Sequence, residues 1–330
     1  MASISPQLST SRRNSLHRTN VISRLDIEDR TRLLIGSSLS QTTKSSYSNS
    51  LKLFDNFREE FNLLPTWPPP LNYLVNFISY LSLKSYSPSS IKLSMSAVSF
   101  CCKIRNLNDP THNFIICKML SGLSRIDKRK DLRMPVTLEI LVKVILALPN
   151  ICSSQYESFL FSSLFSLAFF GFFRVGELVQ SSKTTVAHAL QVQNVCIIPE
   201  SNSLSIFVPY SKTDQFGKGC TIQLPPSSSI VCPVVLLKSF LRLRPPFPGS
   251  FFKHCNGEPV TRYQFVSVLK KALLAAGIHS SLYNSHSFRI GAATAAHAAG
   301  MDGDRIAHLG RWKSNCYKSY IRIPTQKLIT

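Results

Sequence analysis

The sequence predicts a mainly α-helical protein with a small antiparallel β-sheet, arranged as an N-terminal helical domain followed by a mixed α/β domain. Three observations carry this. Apolar residues recur at steps of three and four through much of the chain, the period of amphipathic helices. Two alternating runs, Leu204-Ile206-Val208 and Cys220-Ile222-Leu224, flank a loop that bears lysines and glycines, the pattern of a single hairpin. A charged run from Asp127 to Arg133, closed by Met134-Pro135, divides two stretches that are each rich enough in apolar residues to form a core.

The elements follow in order. Residues 1–24 are Ser-rich, carry Arg12, Arg13 and Arg18, and lack the apolar segment of a secretory signal, so a disordered basic tail is expected. Residues 25–126 read as a helical domain. Tyr47, Leu51, Phe54, Phe57 and Phe61 form one stripe, stopped by Trp67-Pro68-Pro69-Pro70. Leu71, Leu74, Ile78 and Leu81 form the next. Ser87-Pro88 reads as a cap with a first-turn proline ahead of Ile91, Met95, Val98 and Cys102. Residues 127–135 are a basic linker, and 136–330 form the second domain. There, Leu138–Leu148 is an apolar helix behind the cap Thr137. A second helix spans 159–178. Its FLFSSLFSLAFFGFF run is shorter than the roughly 20 residues that cross a bilayer, so a buried core helix is expected. Val234–Leu243 and Val260–Ala276 are helical, the latter closed by Gly277. A helix at His286 and a final helical region complete the chain.

Composition narrows the partner. Hydrophobic content of 44% supports a core, and 38 basic against 17 acidic residues give a net charge of +21. Such an excess attracts polyanions, with nucleic acid the leading partner, and an acidic membrane surface, the other candidate, lacks an evident basic amphipathic anchor. Nine cysteines contain no CxxC pair, which excludes the common zinc modules. Their odd number, without a secretory signal, suggests a reducing intracellular compartment. Lys44, Lys92, Lys103 and Arg105 on the polar sides of the first domain's helices, with Lys128, Arg129 and Lys130 in the linker, are candidates for DNA-backbone contacts. Taken singly, those of the helices read more readily as solvated charges, and the linker run reads evenly as a DNA-contacting linker or an exposed loop.

Chemistry is concentrated in the second domain. Arg174 follows the apolar run directly, and Glu177 one turn on can fix its guanidinium. Lys212 stands in the hairpin loop, with Lys218 as its competitor. His286 and Arg289, three apart, project together. Arg311 and Trp312 follow Leu309-Gly310, both being hydrogen-bond donors that could reach a phosphate oxygen. Tyr320 lies nine residues beyond Arg311, with Tyr317 a turn before it. Guanidinium groups suit phosphate oxygens, histidine moves protons near neutrality, and a phenol with a pKa near 10 becomes a nucleophile in cationic surroundings.

In that order and spacing the chain resembles the tyrosine recombinase (phage integrase) family. The resemblance covers about 135–325 by motif, and 25–126 more loosely through Thr43-Lys44-Ser45-Ser46-Tyr47 at the start of a helical core-binding domain. Arg311-Trp312-Lys313-Ser314 and the Tyr-Ile-Arg ending are similar to the recombinases of eukaryotic DIRS-type retroelements. The resemblance implies a nuclear, site-specific DNA recombinase or integrase of a mobile element. It would clamp duplex DNA between two domains and act as a homo-oligomer, a tetramer in synapsis. Arg174 and Arg289 would clamp the scissile phosphate, Lys212 would protonate the departing 5′ oxygen, and His286 would assist proton movement. Arg311 would occupy the third basic position and Tyr320 would attack, with neither ATP nor metal required. Three positions depart from the family pattern. Arg311 replaces the usual His or Trp, Ile290 replaces a second histidine, and only ten residues follow Tyr320. A DNA-binding descendant that no longer cuts is the alternative reading.

Overall fold

The computed structural model describes residues 22–127, 129, 131–181, 189–211, 214 and 217–322. Lys128, Lys130 and Lys212, and the expected basic tail up to residue 21, lie outside the described residues. The chain divides into two compact units, Met1–Lys130 and Asp131–Thr330.

The first unit is helical: α1 (Arg24–Ser37), α2 (Gln41–Glu60), α3 (Leu71–Leu83), α4 (Pro88–Ile104) and α5 (Phe114–Ile126). Ser23 and Asp26 form a reciprocal cap, so α1 begins one residue before the expected helical boundary. Ser87 caps α4 by accepting from the Ser90 N–H, with Pro88 in the first turn. The expected stripes make the core. Phe54 and Phe57 of α2 pack on Phe77 of α3 at ring separations of 4.9 and 5.2 Å, and Leu74, Ile78, Leu81, Ile91 and Val98 close around them.

The second unit contains α6 (Leu138–Ile151), α7 (Gln155–Phe170), α8 (Val175–Leu178), β1 (Val195–Ile198), β2 (Ser203–Val208), β3 (Cys220–Leu224), α9 (Pro233–Leu243), α10 (Arg262–Ala275), α11 (Ser285–Ala298) and α12 (Gly303–Leu309). A 3-10 helix at Asn315–Tyr320 follows. The strands form an antiparallel sheet in the order β1-β2-β3, with Ile206 opposite both Val195 and Ile222. β1 is an addition to the expected hairpin. Its four residues are too few to show an alternation.

Helix α7 is the centre of this unit, packed by α6, α9 and α11. That explains an apolar surface on every side. Two of its serines are satisfied by neighbouring backbone, since Ser163 donates to the Leu236 carbonyl and Ser166 to the Val231 carbonyl, at 2.9 and 2.6 Å. No helix among the described residues is long and apolar enough to cross a membrane.

The expected continuous helix over 159–178 is corrected. α7 ends at Phe170, the backbone turns through Gly171 and a left-handed Phe172 (φ 50°), and α8 starts at Val175. A left-handed phenylalanine is strained, and it breaks the helix immediately before Arg174. Farther on, the 133–136 segment lies along the start of α11, with the Val136 N–H donating to the Ser287 carbonyl at 2.9 Å. A Cβ on Gly291 would fall 1.8 Å from the Val136 oxygen, so only glycine permits this approach.

Candidate active site

The break after α7 places Arg174 at the N-cap of α8. There its guanidinium donates to Glu177 at 2.9 Å, and its backbone N–H donates to the other carboxylate oxygen at 2.9 Å. Glu177 also accepts from Arg311 at 2.7 Å. Burial alone would raise this carboxyl's pKa. The flanking Arg311 and Arg174 overcome that and hold it below the ordinary value.

Arg311 is itself left-handed (φ 56°), a strained conformation for an arginine. Its side chain turns inward, donating to the Gly171 and Phe172 carbonyls at 3.1 Å each as well as to Glu177. Trp312 takes the other direction. Its ring lies 4.1 Å from the guanidinium carbon of Arg289 and 5.0 Å from the ring of Tyr320. Of the two side chains after Gly310, the indole therefore faces the tyrosine, and the guanidinium braces Glu177. Gly310 makes room for this, since a Cβ there would collide with the indole.

Arg289 is 1% exposed. It donates to the carbonyls of Phe172 and Gly310, and its buried Nε has no hydrogen-bond partner among the described residues. Burial, then the like charges of Arg174 and Arg311, lower its pKa to about 9. Such a cation is costly to hold without an anion. Its guanidinium carbon is 5.8 Å from the centre of the Tyr320 ring.

His286 is half-buried in the first turn of α11, where Asn284 forms a capping box with Ser287. Burial first, then Arg133, Arg262, Arg289 and Arg174, lower its pKa from the ordinary imidazole value, which favours the neutral ring. Tyr320 ends the 3-10 helix. Tyr317 instead is buried in the core, with its hydroxyl against Gly303. The two tyrosines that the sequence leaves in competition are thus separated by burial.

The structure links Arg174, Arg311, Arg289 and Tyr320 through Glu177, the Phe172 carbonyl and Trp312, and His286 lies within electrostatic reach of Arg289 and Arg174. Lys212 lies outside the described residues, and Lys218 is exposed in the loop between β2 and β3. In the first unit, Lys44 and Arg105 line one groove together with Tyr47, Lys52 and Phe100. Arg105 also stacks on Trp67 at 4.9 Å. Lys92 donates to Ser124, Lys103 pairs with Asp109 at 3.4 Å, and Arg129 is held by Asp127 and the Ser85 carbonyl. Sequence reasoning missed Lys52, the Arg311–Glu177 pair, and the trio Asp131, Arg133 and Arg322 beside the tyrosine. Arg322 donates to Asp131 across 191 positions, a pairing with no local signal.

No protein-family model matches the sequence. A curated integrase/recombinase XerD homolog from Selenomonas ruminantium is 31% identical over 165 residues, which are 46% of this chain and 43% of that protein. The match thus spans less than half of the relative's length. Among solved structures, the XerH site-specific recombinase bound to palindromic difH substrate in a post-cleavage complex is 18% identical. It matches over 86% of this chain and 77% of its own, with a TM-score of 0.63. A lambda integrase dimer bound to a COC′ core site is 16% identical over 89% and 75%, with a TM-score of 0.58. The Tn1549 transposon integrase in complex with transposon right end DNA is 13% identical over 91% and 94%, with a TM-score of 0.63. At these identities the likeness establishes the fold.

Proposed function

We propose that this chain is a tyrosine recombinase that cuts and rejoins double-stranded DNA through a covalent bond between Tyr320 and a DNA phosphate. The observation that carries this is the tyrosine ring standing 5.8 Å from a buried, incompletely satisfied Arg289, in a cluster where Arg174 and Arg311 share the Glu177 carboxylate. The excess of cation is preorganised for an anion, and fixed charge of this kind usually contributes more to phosphoryl transfer than any other single effect.

In this mechanism Arg174 and Arg289 bind the nonbridging oxygens of the scissile phosphate. Arg311 keeps Glu177 engaged, which leaves Arg174 oriented. The Tyr320 oxygen attacks phosphorus, the bond to the 5′ oxygen breaks, and neutral His286 takes up the phenol proton. Lys212 is the proposed donor to the departing 5′ oxygen. A 3′-phosphotyrosine and a free 5′ hydroxyl result. A 5′ hydroxyl of a second strand then attacks the phosphotyrosine, which restores the phosphodiester and the tyrosine. The bond energy is conserved throughout, so ATP is not needed.

Lys44, Lys52 and Arg105 in the groove of the first unit, with Lys92, Lys103, Lys128, Arg129 and Lys130, are the proposed backbone contacts. The DNA-bound relatives and the charge of +21 support them. Affinity should fall steeply with salt. The dimer formed by the lambda integrase relative supports action as a homo-oligomer, for which we propose a tetramer in synapsis. The Arg311-Trp312-Lys313-Ser314 form supports a DIRS-type mobile element as the host and the nucleus as the compartment.

The test is covalent capture. Wild-type protein, Tyr320→Phe and Tyr317→Phe are each mixed with a pool of nicked duplexes of randomised sequence, then washed under denaturing conditions. Wild type and Tyr317→Phe should retain DNA, and Tyr320→Phe should retain none. No retention by wild type, or retention by Tyr320→Phe, contradicts the proposal.

A further inference from the structure

Asp131 is the first residue of the second unit, and it sits between two arginines from opposite ends of that unit. The Arg322 guanidinium donates to its Oδ2 at 2.8 Å. Arg133 donates to Oδ1 at 2.7 Å and to Oδ2 at 2.9 Å. Arg322 follows Tyr320 by two residues, so this carboxylate holds the strand that leaves the tyrosine. A second tie reinforces it. The Thr294 hydroxyl of α11 donates to the Tyr320 carbonyl at 3.4 Å and accepts from the Arg322 N–H at 3.0 Å.

The segment bearing Asp131 is itself anchored to the start of α11. The Met134 N–H donates to the Leu282 carbonyl and the Val136 N–H to the Ser287 carbonyl, each at 2.9 Å. Tyr320 ends a short 3-10 helix whose hydrogen bonds alone are too weak to fix a side chain. Without an outside tie, a phenol at such a terminus would sample many positions. Positional error of this size costs rate far more than it costs binding.

We propose that Asp131 is a positioning residue: by pairing with Arg322 and Arg133 together, it fixes the strand that follows Tyr320 and so sets the phenol against Arg289. The proposal rests on Tyr320 being the attacking group. Both arginines are partly exposed, so the pairing is of moderate strength. Its loss should correspondingly lower the ratio of held to released segment by about fivefold.

The experiment has two arms and uses the full chain as wild type, Asp131→Asn, Asp131→Glu, Arg322→Gln and the Asp131→Asn/Arg322→Gln double variant. In the first arm, hydrogen exchange of the free protein is followed by mass spectrometry over residues 313–322, with the α7 peptide as a control for folding. Asp131→Asn and Arg322→Gln should each speed exchange there by about fivefold and leave α7 unchanged. In the second arm, single-turnover adduct formation is measured on a nicked duplex recovered by wild type. Its rate should fall about fivefold with DNA affinity unchanged, Asp131→Glu should recover it, and the double variant should be no slower than either single.

Unchanged exchange over 313–322 overturns the proposal. So does faster exchange with an unaltered adduct rate, or singles whose effects multiply in the double. If wild type recovers no duplex, the cutting reading fails by itself. The exchange arm alone then supports or overturns the tie.

Discussion

Two buried arginines, one in each unit, are held in opposite ways. Arg58 in the first unit pairs with Asp55 and lies over the rings of Phe54 and Trp67 at 4.8 and 5.7 Å. Its charge is neutralised locally. Arg289 in the second unit is held by two carbonyls and an indole, with other guanidinium groups nearby, and Glu177 is engaged by Arg174 and Arg311. A carboxylate that neutralises an arginine makes a structural anchor. An arginine held only by neutral oxygens and an aromatic face stores positive charge that an incoming anion can satisfy. The same residue type thus serves stability in one unit and chemistry in the other.

Substitutions can break this contrast. The largest expected effect is on Arg289→Met, which should slow covalent adduct formation by at least about 100-fold. Its melting temperature should change little, because relief of the buried charge offsets the two lost carbonyl bonds. A large drop in melting temperature would make Arg289 an anchor like Arg58. Glu177→Gln comes next, because it leaves Arg174 and Arg311 without their shared carboxylate. A loss of about 3 kcal/mol in urea denaturation is expected, partly recovered by added sulfate. Arg58→Met should cost about 1–2 kcal/mol and leave the adduct rate on a saturating duplex unchanged.

The smallest effects are set by two histidines with opposite shifts. Hydrogen bonding to Glu157 at 2.9 Å raises the His254 pKa against the opposing effect of burial. Its contribution is fully present below the ordinary imidazole value of about 6.5 and is lost as pH rises through the raised folded value. His254→Gln should therefore destabilise by about 1 kcal/mol in acid, and the difference should shrink at higher pH. His286 has the reverse sign. Its lowered folded pKa means that protonation favours the unfolded chain, so stability is lost as pH falls below about 6.5. His286→Asn should flatten that acid loss, read from urea midpoints across the pH range.

Much of this was legible in the sequence. The helical stripes of the first unit, the Ser87 and Thr137 caps, the β2–β3 hairpin and the HxxR pairing on α11 all follow from period and local chemistry. What escaped was nonlocal or conformational. The apolar character of 159–178 continues smoothly through Phe172, so composition gives no sign of the left-handed turn that ends α7. The opposite directions of Arg311 and Trp312 depend on another left-handed residue, and any L residue tolerates that conformation poorly. The choice of Tyr320 over Tyr317 rests on spacing in the sequence and on burial in the structure, where Tyr317 packs under Gly303. The Asp131–Arg322 pair joins the two ends of one unit, which no window of sequence can display.

The central claim is that the phenol at 320 becomes bonded to DNA. The most direct measurement is tryptic mapping of the covalent complex by mass spectrometry, since cleavage after Lys318 and Arg322 releases Ser319–Arg322 with Tyr320 as its tyrosine. A nucleotide mass is expected on that peptide and on no other. A nucleotide on the peptide that contains Tyr317, or an adduct that persists in Tyr320→Phe, would contradict it.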